Sequence, residues 1–108
     1  MDRSFELSLD IVEFTSQIEK LKKFAIANQL LKSGTSIGAN VREAQSPESV
    51  ADFIHKMKIS AKEAQETEYW LLLCEHSEHL PNPGKLLDNV KTIQKILSSI
   101  ISTSKKRL

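Results

Sequence analysis

Apolar residues recur near the start of the chain in alternating steps of four and three. Leu7, Ile11, Phe14, Ile18 and Leu21 form the series, and this spacing keeps one stripe of a helix facing a partner. Asp10, Glu13, Gln17 and Lys20 fall on the other faces, which predicts a helix over about residues 4–22. A second segment, about 24–44, places Phe24, Ala27, Leu30 or Leu31, Ile37, Val41 and Ala44 on one face. Gly34 and Gly38 interrupt it, and each costs a helix about 1 kcal/mol relative to alanine. Two explanations are open: a kink or break, or a close crossing of backbones where a side chain would hold a neighbour away. The run of small residues in SGTSIGAN favours the crossing.

The third segment, about 47–77, begins where Ser46 offers an N-cap and Pro47 suits a first helical position. Its seam is Val50, Phe53, Met57, Ser60, Ala64, Thr67, Leu71 and Cys74, small and polar in the middle and flanked by Glu63, Glu66 and Glu68. Ile54, Leu72 and Leu73 lie off that seam and give the helix more apolar surface than a monomer needs, which argues for oligomerisation. LPNPG, residues 80–84, stops and turns the chain. The fourth segment, about 85–104, repeats the alternating steps through Leu86, Val90, Ile93, Leu97 and Ile100, widened by Leu87, Ile96 and Ile101. Four helices joined by short connections put neighbours antiparallel. The expectation is an all-α, up-down-up-down four-helix bundle, one domain over residues 1–108.

Composition agrees. Three glycines and three prolines are too few for an all-β chain that turns every ten residues or so. The single cysteine, Cys74, allows no intrachain disulfide and fits a reducing, cytoplasmic setting. The acidic N-terminal stretch does not read as a signal peptide. Apolar runs such as Trp70 to Cys74 are too short to span a membrane.

A net charge of +1 argues against a strongly basic domain but hides a separation. Residues 1–19 carry five acids and one base, residues 63–78 five acids and no base, and residues 85–108 six bases and one acid. Lys91 and Lys95 share a face of the fourth helix, and Lys105, Lys106 and Arg107 continue the basic character. Such a surface either complements acidic helices, within or between subunits, or contacts the phosphates of RNA or DNA.

At the centre of the chain, TSIGANVREAQ (residues 35–45) resembles the "S-I-x-x-N-I-x-E-G" signature of the four-helix bundle proteins, also called the 23S rRNA intervening-sequence protein family. Ser36, Ile37, Asn40 and Glu43 stand at the matching positions. Upstream, Gln29, Leu30 and Lys32 resemble the family's "L-x-x-Q-L-x-R-A" run. Downstream, Phe53, Ile59, Ala64, Glu66, Glu68 and Leu71 carry a likeness to its third helix, and KEAQETEYW, with Glu63, Glu66, Tyr69 and Trp70, reads like one branch of it. Ala44 departs from the usual glycine after the motif glutamate. The resemblance implies a left-handed antiparallel bundle, often a homopentamer, with no known enzymatic activity and no cofactor. It also implies kinship with the accessory proteins of diversity-generating retroelements, which bind nucleic acid and a reverse transcriptase.

Polar signature positions inside an apolar pattern suggest a buried hydrogen-bond network of Ser36, Asn40, Glu43, Glu63 and Glu66, fixing helix register or a subunit contact. No nucleophile–base pair, phosphate loop or pocket for a small-molecule substrate is evident. Di-iron bundles need Glu-x-x-His on two helices. The sequence has only Asp52-x-x-His55, and Cys74, His76 and His79 make at most a weak zinc site. Tyr69 and Trp70, being consecutive, point apart, so that one packs inward and the other faces a subunit interface.

Overall fold

A computed structural model describes residues 2–108. It contains four α-helices: α1 (Arg3–Lys20), α2 (Phe24–Glu43), α3 (Val50–His76) and α4 (Leu86–Lys105). Two of the starts are capped by side chains, those of α1 and α3. Asp2 caps α1 by accepting from the Phe5 amide at 2.9 Å. The Ser4 hydroxyl and that amide hold the Asp2 carboxyl below the usual aspartate range. The third helix begins later than the Ser46–Pro47 pair suggests. Its cap is Ser49, which accepts from the Asp52 amide at 3.0 Å, while the Asp52 carboxylate accepts from the Glu48 amide at 3.1 Å. This two-way bonding satisfies the Asp52 amide of the first turn and the Glu48 amide just before the helix.

α1 ends in a Schellman turn. The Lys22 amide donates to Glu19 at 2.8 Å and the Lys23 amide to Ile18 at 3.4 Å, with Lys22 at φ +61°. That left-handed position is normally glycine, because a Cβ crowds the following carbonyl.

Cross-helix pairs define the topology. Gly34 of α2 faces Ile11 of α1 and Gly38 faces Ser4, so later residues of α2 meet earlier residues of α1. Ser33 pairs with Thr67 and Ile37 with Ser60, and Gln94 reaches Glu68. Every consecutive pair is therefore antiparallel. α1 also touches α4, the thinnest of the four helix contacts, and the diagonal pairs do not meet. The result is a rod of 47 × 23 × 20 Å.

The core follows the expected seams. Leu7, Ile11, Phe14 and Ile18 of α1 are buried, as are Ala27, Leu30 and Ile37 of α2. Met57, Ala64, Leu71 and Cys74 come from α3, and Leu86, Val90, Ile93 and Leu97 from α4. Seam residues at helix ends depart from expectation: Leu21 is 51% exposed, Phe24 54% and Val50 39%. Each sits at or beyond a helix end.

α2 runs unbroken through Gly34 and Gly38, so these glycines serve the close crossing and not a kink. A Cβ on Gly34 would lie 2.8 Å from Cγ2 of the fully buried Ile11, and one on Gly38 would lie 3.0 Å from the Ser4 carbonyl oxygen. Ala44, where the family's pattern has glycine, takes a right-handed conformation (φ −66°) and is completely buried. Nothing in the backbone asks for glycine there.

The strained Lys22 gives a direct test. Lys22→Gly is expected to stabilise the fold by about 1 kcal/mol. In a thermal melt this corresponds to a rise of roughly 4–8 °C in Tm, and an unchanged melt would contradict the left-handed assignment.

Candidate interaction surfaces

The α2–α3 seam is closed by hydroxyls. The Thr67 hydroxyl donates to Ser33 Oγ at 3.0 Å and lies 2.8 Å from the Glu63 carbonyl oxygen, while Ser33 donates to the Leu30 carbonyl at 3.3 Å. Ser60 donates across the seam to the Ile37 carbonyl at 2.9 Å. Ser33, Ser60 and Thr67 are fully buried, and among the described residues no buried side-chain nitrogen or oxygen lacks a partner. Small hydroxyl residues let the two backbones approach while meeting their own bonding needs from carbonyls.

This corrects the expected network. The buried polar layer consists of Ser33, Ser60 and Thr67, and the signature residues lie outside it. Glu43 and Glu66 are exposed; Ser36, Asn40 and Glu63 are half-buried. Ser36 donates to the Lys32 carbonyl at 2.6 Å, and Asn40 donates to the Ser36 carbonyl at 2.9 Å, both within α2. Glu43 meets Lys56 at 3.5 Å. Glu66 accepts from the Trp70 indole at 3.1 Å. Burial, helped by the neighbouring Glu66, raises the Glu63 carboxyl above its usual range, against the opposing pull of Lys32 and Lys62. The reason is angular. Ser36 and Asn40 follow Ser33 and Ile37 by three residues each and Glu63 follows Ser60 by three, while Glu66 precedes Thr67 by one and turns about 100° away. An offset of three turns a side chain about 60° from the seam, out to the rim of the same groove.

The signature therefore lines one outer face along the α2–α3 groove, and the aromatic pair continues it. Tyr69 is 56% exposed, and half-buried Trp70 packs against the core. Their rings meet edge to face, 5.1 Å between centroids. One packs and one faces out, as their adjacency requires. Ser60 and Thr67 were visible in the sequence as polar seam positions. Ser33 was the missed member, and its signal was the interval of three from Leu30 and four to Ile37.

The basic residues gather on α4. Lys91, Lys95 and Lys105 are exposed on the helix, and Lys106 and Arg107 follow it, also exposed. Among the described residues none of the five has a carboxylate within 4.0 Å. Among the described residues no close ion pair therefore ties these five to the acidic helices of their own chain. Arg107 borders an open cleft of about 460 Å³ with Pro47, Val50, Phe53 and Ile100.

Cys74 is buried, and desolvation pushes its thiol up to about 11, which leaves it protonated and inert near neutrality. His76 lies 3.6 Å from Glu75 on the surface. Among the described residues no group of three or more His, Cys, Asp or Glu side chains is placed to hold a metal ion, and no helix is long and apolar enough to cross a membrane.

Fold and surfaces together define a small antiparallel four-helix bundle with its polar signature turned outward. The chain belongs to the 23S rRNA-intervening sequence protein family, whose model matches residues 1–99. It is similar to a crystal structure from Bacteroides thetaiotaomicron, a protein of unknown function from the S23 ribosomal protein family. The two share 43% identity and a TM-score of 0.87, over 93% of this chain and 95% of that one. No curated protein matches the chain. Neither the family's description nor the neighbour's names a reaction.

Glu63 carries a pH signature. A carboxyl raised in the folded state contributes stability that is fully present below its unfolded pKa and is lost as pH climbs through the folded one. Wild type should therefore lose stability relative to Glu63→Gln as pH rises from about 4.3, in paired denaturation series. Parallel curves would remove the groove's influence on this group.

Proposed function

We propose that the protein is a non-catalytic assembly module that joins further copies of itself into a homo-oligomer. The carrying observation is the outward turn of the family signature. Ser36, Asn40, Glu43, Glu63 and Glu66 are not needed to seal the core, which Ser33, Ser60 and Thr67 already do. Polar residues set beside an exposed tyrosine, a half-buried tryptophan and Leu73 (38% exposed) have the make-up of a subunit contact. The subunit number that the family resemblance implies is five, and a reducing cytoplasm suits the single thiol of Cys74. Sedimentation velocity over a micromolar concentration series tests the reading. An oligomer is expected, weakened by Tyr69→Ser combined with Leu73→Ser. A wild-type monomer at every concentration overturns it.

One observation favours a second reading, a nucleic-acid-binding accessory: Lys91, Lys95, Lys105, Lys106 and Arg107 have no carboxylate partner within their own chain. About four phosphate contacts per subunit would be weak alone and strong when repeated around an assembly. Binding to a structured RNA should then fall steeply with salt, and neutralising these five residues should flatten the slope. Equal slopes for the two proteins eliminate this surface.

A further inference from the structure

Two charged stripes of opposite sign lie at one height on the rod and cannot reach each other. On α1, Glu6, Asp10 and Glu13 recur at steps of four and three, all exposed, with Leu9 (48% exposed) among them. On α4, Lys91 and Lys95 are exposed one turn apart. Among the described residues none of these five has an oppositely charged side chain within 4.0 Å.

Their heights follow from the cleft between α1 and α4. Arg3, Glu6, Leu7 and Asp10 line it from one side and Asn89, Thr92 and Ile93 from the other, so Lys91 stands level with Glu6–Asp10. Lys95 stands one turn nearer Ser4. The two lysines occupy the opposite edge of α4, however. They share that edge with Ser98, at steps of four and three, and Ser98 faces α3 across a groove of about 400 Å³ with Ala61, Gln65 and Ile101. Arg3 and Lys20 stand at the ends of the acidic stripe, and Glu68 in the groove is engaged by Gln94 at 3.1 Å.

We infer that the acidic α1 ridge of one copy docks against the lysine-rimmed α3–α4 groove of the next, in a head-to-tail contact between bundles with parallel axes. This rests on the self-association reading and adds to the signature groove a second contact, made by other faces of the rod. The shared height sets Lys91 opposite Glu6–Asp10, with Lys95 one turn toward Ser4, and Leu9 supplies an apolar contact between the charges. The two surfaces belong to different faces of one chain, so each copy offers one of each. Such a contact repeats around an axis and closes into a ring when the rotation allows. A chain of net charge +1 with matched, separated stripes suits its own copy better than it suits a polyanion.

The test is a charge exchange read by sedimentation. Glu6→Lys with Asp10→Lys, and separately Lys91→Glu with Lys95→Glu, should each raise the concentration for half-assembly by about tenfold or more. The fourfold variant carrying both pairs regains opposite signs across the contact and should return to within about threefold of wild type. Every altered residue is exposed, and circular dichroism of each variant checks that the helices are kept. Wild type that assembles and ignores the reversals overturns this pairing and leaves self-association standing. So does a fourfold variant that stays as weak as the doubles. A monomeric wild type overturns both.

Discussion

The bundle depends on how closely α2 approaches its neighbours on both sides. Gly34 lies against the side chain of Ile11, and Ser33 and Ile37 meet Thr67 and Ser60. A larger residue at Gly34 would push α1 away. A larger one at Ser33 would push α3 away and would also remove a hydroxyl from a chain of bonds that leaves nothing buried unpaired. Steric and polar demands meet on one helix, and the positions of α1 and α3 follow from it. Local propensity is set aside there: two glycines and several β-branched or hydroxyl residues form a helix because packing outweighs their intrinsic cost.

The periodic part of this architecture was legible in the sequence. The alternation of four and three located all four helices, and LPNPG located the long turn. Misplacements fell at helix ends. Leu21, Phe24 and Val50 keep the periodic spacing, yet each sits at or beyond a helix end and stays largely exposed. The start of α3 went to Ser49 because the two-way bonding with Asp52 outweighs a favourable proline, a choice of partner that spacing alone does not reveal. The signature was harder to read. Its polarity suggested burial, while its angular offset from Ser33, Ser60 and Thr67 places it on the rim. Sequence shows which residues are polar within an apolar run, but a rotation of about 60° decides between core and surface.

Charge on this molecule is arranged by face and not by pairing. Lys56 with Glu43 is the ion pair between a lysine and a carboxylate found among the described residues. Most charged side chains therefore do little for the stability of a single chain, and their value lies in what approaches from outside. The acidic ridge, the lysine rim and the signature groove occupy separate sides of the rod, so a chain of nearly zero net charge still presents distinct surfaces to whatever meets it.

The thin contact between α1 and α4 has a consequence for the order in which the bundle forms. Three of the four helix contacts join sequence neighbours. The fourth joins the first element to the last, so it closes the longest loop and returns the least packing for doing so. An apolar cavity of about 230 Å³ persists along that line, reaching Met57 and Leu97. Cohesion is thus graded outward from the α2–α3 hairpin. The rod is a folded strip whose two long edges meet along its most lightly packed line.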